Sequence, residues 1–139
     1  MAEPEWDHFP HGADMGVRGR GATLAEAFAN AALAMTAVVA DPESVRAEQA
    51  VEIRCSAPDR ELLLVDWLNA LVFEMATRGM LFSRFEVEIA DGALTARAIG
   101  EGIDPARHRP AVEVKGATMT ALAVTEEDGG FSAQCVVDV

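Results

Sequence analysis

The sequence is poor in lysine and cysteine, and it contains no long apolar run. Lys115 is the one lysine among eleven basic residues, which stand against 23 acidic residues and leave a formal net charge of −12. A groove that follows nucleic-acid phosphates needs a basic face, so this balance argues against strong direct nucleic-acid binding. An acidic surface suits a basic protein partner or a hard cation, and it also keeps a protein soluble.

Three classes of segment are missing as well. No apolar run reaches the roughly 18 residues of a membrane span. The first seven residues are acidic and lack the apolar stretch of a signal peptide, so we expect a cytoplasmic location. Cys55 and Cys135 lie far apart, without a C-x-x-C pattern, on the apolar phase of predicted strands. We expect them to be buried thiols.

The length of 139 residues, half of them hydrophobic, predicts one domain over 1–139 with its own core. Residues 1–10 show no periodicity and are predicted to be a loop or arm. Beyond them, helical and alternating patterns predict the order β-α-β-α-β-β-β-β. This order indicates an α+β fold, with a mostly antiparallel sheet and both helices packed on one face.

Several short signals set the expected boundaries of these elements. Thr23 and Glu26 form a T-x-x-E capping box at the first helix. Ser56 or Asp59 caps the second helix, and Arg78-Gly79 predicts where it ends. Asp91-Gly92 predicts a two-residue hairpin turn. The segment 100–110 is expected to be irregular. A long strand is expected from 112 to 124, followed by a last strand from 131 to 139.

The first cluster of residues that could carry chemistry is Asp7, His8, His11 and Asp14. Side chains so close together in a loop can converge on a cation, with imidazoles favouring zinc or manganese and carboxylates favouring calcium or magnesium. A polar N-terminal arm often contains such residues without binding anything, and both interpretations stay open here.

Three further sets of residues each allow a functional and a purely structural interpretation. Asp138 lies on the polar face of the last strand beside Val139, and Asp14 could complete a hard-cation site if the first and last strands are neighbours. Glu113 and Lys115 share the polar face of one strand, either as an ion pair or as a contact with a partner or a phosphate. His108, between two arginines, is either a basic island or part of a plain surface loop.

Taken together, these segments resemble the archease family over nearly the whole chain. The resembling pieces, in order, are HGADMGV (11–17), TLAEAF (23–28), LVDWLN (64–69), FSRFEV (82–87), Gly100-Glu101 with Asp104 to His108, EVK (113–115) and Asp138-Val139. The chain departs from the family pattern Asp-His-Thr-Ala-Asp at Pro10 and Gly12, and from Tyr-His at Met119-Thr120.

The resemblance implies a protein factor rather than an enzyme. Archeases assist the RtcB-type RNA ligase of tRNA splicing and RNA repair, promoting its GTP-dependent guanylylation and its multiple turnover. The family fold is a strand-helix-strand-strand domain with an insertion. The resemblance assigns a divalent cation, calcium before magnesium or manganese, to Asp14, Asp138 and Val139. It also places Lys115 in an activity-associated segment, and we group Glu113, His11 and His108 with Lys115 as candidate partner contacts.

Two other function classes stay open. Fold does not fix function, so the same fold could serve as a small-molecule or metal-binding module without a ligase partner. A ligand-sized apolar pocket would favour this alternative. A hydrolase using His8, His11 and Asp14 has the least support, because no nucleophile, base and orienting group can be assembled from the sequence.

Overall fold

The computed structural model describes residues 5–139. Within that range three helices and eight strands follow one another. They are β1 (Trp6–His11), β2 (Asp14–Gly21), α1 (Leu24–Val39), β3 (Gln49–Ser56), α2 (Arg60–Arg78), β4 (Met80–Ala90), β5 (Ala93–Gly102), α3 (Pro105–His108), β6 (Gly116–Ala117), β7 (Ala123–Glu127) and β8 (Gly130–Asp138). This combination of helices and antiparallel strands confirms the α+β class.

The strands form two antiparallel sheets instead of the single sheet that we predicted. The first sheet has the order β1-β2-β8-β6, with β7 pairing with another part of β8, and the second has the order β3-β5-β4. β2 and β8 pair from Met15 with Val137 to Gly21 with Phe131, which confirms that these two strands are neighbours. Apolar alternation identifies a strand but not its partner, so the division into two sheets is not visible in the sequence.

The first long helix begins where its capping residues predict. The Glu26 N–H donates to the Thr23 hydroxyl (3.1 Å), so Thr23 is the N-cap. The Glu26 carboxylate accepts a hydrogen bond from the Ala22 N–H (2.8 Å), one residue before the usual partner in a capping box. Side chains therefore satisfy one of the unpaired N–H groups of the helix, that of Glu26, and the N–H of Ala22 just before the cap.

The second long helix is capped by Asp59 and not by Ser56. The Asp59 carboxylate accepts a hydrogen bond from the Leu62 N–H (2.8 Å). At the other end Gly79 takes a left-handed conformation with φ 61°, which confirms the predicted glycine stop. The hairpin between β4 and β5 also forms as predicted, with positive φ at Asp91 and Gly92.

One hydrophobic core forms where the helices meet both sheets. α1 packs on β2 and β8 of the first sheet and on β4 of the second, and α2 also contacts strands of both sheets. The prediction that the helices cover one face of one sheet is therefore wrong. The Trp67 indole N–H donates to the Phe28 carbonyl oxygen (3.0 Å) and joins the two helices inside the core. The largest fully buried side chains include Trp67, Phe28, Phe82, Met35 and Leu68.

Residues 6–10 belong to strand β1, so the predicted loop or arm is wrong over this part, and residues 1–4 lie outside the described residues. The apolar residues of this strand do not alternate with polar ones, so the sequence pattern does not predict a strand. His8 is half-buried, with its Nε2 atom 2.7 Å from the Ala34 carbonyl oxygen of α1. On the other phase, the Phe9 ring covers the position where a side chain of Gly16 would stand.

The predicted long strand from 112 to 124 is also wrong. Only the two residues of β6 and, later, β7 pair with β8, and they pair with different parts of it: Ala117 lies opposite Val137, and Val124 lies opposite Ala133. The chain must turn between them, and Ala121 takes a positive φ of 54° in that turn. The apolar residues in this stretch hide the break from a sequence pattern.

Candidate functional site

The candidate site lies at the end of the first sheet, where β2, β8 and β6 meet. β8 runs between the other two strands, with Met15 opposite Val137 on one side and Gly116 opposite Asp138 on the other. Extending the first register by one residue places Asp14 opposite Asp138. The Val139 N–H donates to the Asp14 carboxylate in a long hydrogen bond of 3.4 Å. Asp14 is half-buried and Asp138 is exposed.

Two carboxylates on adjacent strands give this end of the sheet oxygen donors suited to a hard cation such as calcium or magnesium. Among residues 5–139, no group of three or more His, Cys, Asp or Glu side chains is arranged to hold a metal ion. A cation at Asp14 and Asp138 therefore needs a further oxygen from outside that set of side chains.

Lys115 reaches the same end of the sheet through its backbone. Its N–H donates to the Asp138 carbonyl oxygen (2.8 Å), directly before β6 begins. The Lys115 side chain is exposed, and no carboxylate of residues 5–139 lies within 4.0 Å of its ammonium group. The ion pair between Glu113 and Lys115 that the sequence allowed is thus not formed, and the exposed Glu113 lies in the irregular segment before β6.

Helix α2 holds the other edge of β6 through a single side chain. The Asn69 Oδ1 atom accepts a hydrogen bond from the Ala117 N–H (2.8 Å), and its Nδ2 group donates to the Ala117 carbonyl oxygen (3.3 Å). The spacing of the sequence places Asn69 with Asp66 and Phe73 on a face of the helix other than its apolar stripe. The sequence contains no signal for this contact, because the contact depends on how the helix packs on β6.

The cluster Asp7, His8, His11 and Asp14 does not converge, so the hypothesis of a four-residue metal site there is wrong. Asp7 pairs with Arg18 (2.8 Å), and the hydrogen bond from that guanidinium lowers the pKa of the Asp7 carboxyl. His8 is occupied by α1, as described above. His11 is exposed opposite Asp14 at the turn of the β1–β2 hairpin, where it stays a candidate partner contact.

His108 is buried, so its interpretation as part of a surface loop or of a basic island is wrong. Its Nδ1 atom accepts a hydrogen bond from the Asp104 N–H (2.8 Å), which leaves Nε2 to carry the proton toward Glu101 (3.0 Å). Glu101 also accepts from the Arg107 guanidinium (2.6 Å) and from the Arg46 N–H (2.7 Å). The Arg107 and His108 side chains thus tie the short helix α3 to Glu101 of β5, and the Arg46 N–H ties the segment before β3 to the same carboxylate.

Those donors explain the acidity of Glu101. The Arg107 guanidinium, and after it the Arg46 N–H, lower the pKa of the Glu101 carboxyl from 4.5 to about 2, although burial acts in the opposite direction. The predicted character of both cysteines is consistent with the structure as well. Burial raises the pKa of Cys135 to about 12 and that of the half-buried Cys55 to about 11, so neither thiol is an activated nucleophile.

Exposed apolar side chains lie in the connection between β5 and β6 and just after β6. Of the described residues, four large hydrophobic side chains are exposed, and three of them lie between 103 and 119: Ile103, Val112 and Met119. The fourth, Phe73, lies on the turn of α2 that follows Asn69. Below this connection runs a groove of about 440 Å³, lined mostly by apolar residues of α2 and the connection.

Comparison with known protein families shows which proteins this chain is related to. The model of the Archease protein family (MTH1598/TM1083) matches residues 6–139. The chain belongs to the archease family. Protein archease of Pyrococcus furiosus is 36% identical, covering 97% of this chain and 99% of that protein, and Protein archease of Methanosarcina mazei is 36% identical, covering 97% and 96%. The archease membership inferred from the sequence is thereby confirmed.

Solved structures agree with the archease fold. The solution structure of Methanobacterium thermoautotrophicum protein 1598 has a TM-score of 0.86 and 35% identity, covering 99% of this chain and all of that one. A Thermotoga maritima archease described as a possible chaperone has a TM-score of 0.57 over the whole chain and 98% of its own. At 19% identity, this second likeness shows the fold alone. No helix within residues 5–139 of this archease is long and apolar enough to cross a membrane.

Proposed function

We propose that this archease is a non-enzymatic activator of an RtcB-type RNA ligase in the cytoplasm. It promotes GTP-dependent guanylylation of the ligase and its multiple turnover in tRNA splicing or RNA repair. The observation that carries the proposal is the meeting of Asp14, Asp138 and the Lys115 backbone at one end of one sheet, in a chain that matches the family over 6–139.

The charge of the chain supports a role in which the ligase, and not this protein, binds the RNA. With a net charge of −12, the protein is poorly suited to hold RNA, so the ligase must do so. The same charge favours association with the basic, RNA-binding face of a ligase. The RNA needs that face too, so the complex must dissociate easily, and its association rate should fall as salt screens the charges.

The chemistry of guanylylation also fits these residues. Nucleotidyl transfer depends on positioned cations that neutralise phosphate charge more than on new covalent groups. The exposed Lys115, with no carboxylate beside it in the described residues, is free to meet a phosphate of the bound nucleotide. The exposed Val112 and Met119, on either side of Lys115 in sequence, supply apolar contact area for the ligase.

We expect Lys115→Ala to lower the stimulation of ligase guanylylation about tenfold, within the range usual for coupling between protein sites. The measurement is the rate of guanylylation by the cognate ligase with increasing amounts of this protein. Arg54→Ala is the matched control, because Arg54 is an exposed cation of β3 in the other sheet. If Lys115→Ala, shown folded by circular dichroism, stimulates like the parent, Lys115 has no part in activation.

A cation held by Asp14, Asp138 and an oxygen of Val139 is the second part of the proposal. Oxygen donors favour calcium, with magnesium or manganese as alternatives, over zinc. The exposed carboxylate of Asp138 leaves one side of the site open toward the ligase, where the cation could share a phosphate ligand. Glu113 and His11, both exposed, are candidates for further polar contacts with the partner.

Calorimetric titration with calcium tests this site. Asp14→Asn and Asp138→Asn should each weaken binding about tenfold or more, because each removes a charged ligand. Asp128→Asn is the control, since Asp128 lies in the turn at the opposite end of β8 and has a positive φ that asparagine tolerates. Equal affinity in all four proteins would place calcium elsewhere, and no heat with the parent would remove the site.

The groove of about 440 Å³ favours a second candidate function, a small-molecule-binding module without a ligase partner. Its volume lies within the range of ligand pockets, and Val72, Met75 and Val112 give it an apolar lining. The guanylylation assay separates the two functions. A module without a ligase partner leaves the rate of guanylylation unchanged at every concentration.

A further inference from the structure

Asn69 is the one side chain of α2 that completes the hydrogen bonding of β6. β6 has only two residues and pairs with β8 along one edge. On its other edge the Ala117 N–H and C=O groups point away from β8, where an edge strand would leave them without a strand partner. The Asn69 amide offers one acceptor and one donor, at 2.8 and 3.3 Å, and takes the place of a neighbouring strand.

The chemistry of the contact explains why an amide side chain is present. Ala117 presents a donor and an acceptor, so its partner must carry both, and among side chains of this length only asparagine does so. The fit is also close. A Cβ atom at Gly116 would lie 3.3 Å from Asn69 Oδ1, so the helix and the strand approach each other with little spare room.

The contact lies two residues from Lys115, on the opposite side of the chain from β8. The Lys115 N–H is held by the Asp138 carbonyl oxygen (2.8 Å), and the Thr118 N–H is held by the Val136 carbonyl oxygen (3.0 Å). Asn69 holds Ala117, which lies between Lys115 and Thr118, on the side that faces away from β8. The segment 110–115 before β6 has no regular structure, so Lys115 depends on the few bonds around it for its position.

We infer that Asn69 is a positioning residue that holds Lys115 in place beside Asp14 and Asp138. The inference rests on the proposed function, because it assigns Asn69 a role that acts through Lys115. It goes beyond that function by making α2 part of the activating surface. The aspartate variant is the sharpest probe: it keeps the size of the side chain and the acceptor for the Ala117 N–H, but it sets a carboxylate oxygen against the Ala117 carbonyl.

The first test does not need the ligase. In Asn69→Asp, amide hydrogen exchange at Lys115 and Ala117 should become about tenfold faster, the effect of losing one net hydrogen bond, while amides in the centre of β2 and β8 keep their rates. Asn30→Asp is the matched control. The Asn30 amide also donates to a backbone carbonyl, that of Arg20 (2.7 Å), but it does so on α1, away from β6.

The second test asks whether Asn69 acts through Lys115. Asn69→Asp should reduce stimulation of guanylylation to about the level of Lys115→Ala, and the double variant should be no weaker than Lys115→Ala alone. Additive losses in the double variant, or full stimulation by Asn69→Asp despite faster exchange, would overturn the inference. If Lys115→Ala itself stimulates like the parent, the proposed function fails at Lys115, whereas unchanged exchange at Ala117 in Asn69→Asp would defeat the positioning role alone.

Discussion

Gly19→Ala is expected to destabilise the protein by about 3 kcal/mol or more, the upper range for overpacking in a core. Gly19 lies in β2 where α1 crosses it. A Cβ atom there would stand 2.0 Å from the Ala31 nitrogen and 2.3 Å from the Ala27 carbonyl oxygen. Both are backbone atoms of the helix and cannot move aside as a side chain could. The helix would have to shift away from β2, on which it packs, and the core beneath it would loosen.

Urea unfolding measures this effect directly. Domains of this kind are stable by roughly 5–15 kcal/mol, so a loss of this size lowers the midpoint strongly or unfolds the chain at room temperature. Gly102→Ala is the control, because nothing lies within 4 Å of a Cβ at Gly102. That change should be neutral or stabilise the protein by up to about 1 kcal/mol. Similar midpoints for the two variants would show that α1 does not lie so close to β2.

Local signals in the sequence predict local structure well in this chain. The hydroxyl of Thr23, the Asp91-Gly92 turn and the glycine stop at Gly79 each act within one turn of the backbone, and each forms as expected. Strand β1 escapes prediction because its half-buried phase contains His8, whose ring nitrogen bonds to the Ala34 carbonyl oxygen of α1. A polar residue whose partner lies 26 positions away cannot be recognised as buried from its neighbours.

In the candidate site, too, the sequence predicts some features but not those that depend on tertiary packing. The proximity of Asp14 and Asp138 could be predicted because both lie at the end of an alternating strand. The resemblance to archeases assigns one cation to both residues, which requires the two strands to be neighbours, as they are. The role of Asn69 could not, since it depends on the packing of α2 against β6. The surroundings of Glu101 could not be predicted either, because an acidic residue in a strand is expected to be exposed. Its carboxylate is buried beneath donors from two separate segments, Arg46 before β3 and the helix α3.

Glu101→Gln is expected to lower the stability of the protein at neutral pH, and this loss should shrink in acid. The Glu101 carboxylate accepts from the Arg107 guanidinium, the Arg46 N–H and the Nε2 group of His108. A glutamine amide presents an N–H group where those donors need an oxygen, and it removes the charge opposite Arg107. Since the Arg107 guanidinium also donates to the Ser44 carbonyl oxygen (2.5 Å), the connection that leads toward Lys115 loses part of its anchorage as well.

The pH dependence follows from the pKa of Glu101, which is lowered from 4.5 to about 2 in the folded protein. Over this interval the unfolded chain binds a proton that the folded chain does not, so the contribution of Glu101 is complete above about pH 4.5 and is lost as the pH falls toward about 2. Unfolding free energies of the parent and of Glu101→Gln should therefore differ most at neutral pH and converge in this acid range.

Glu86→Gln is the control, because Glu86 is an exposed carboxylate of β4 paired with Arg84 and Arg97. This change should alter stability by at most about 0.5 kcal/mol. A difference between parent and Glu101→Gln that stays constant from pH 7 to pH 3 would mean that the Glu101 charge does not hold α3 to β5, and that the Asp104–His108 contact and the packing around it do so instead.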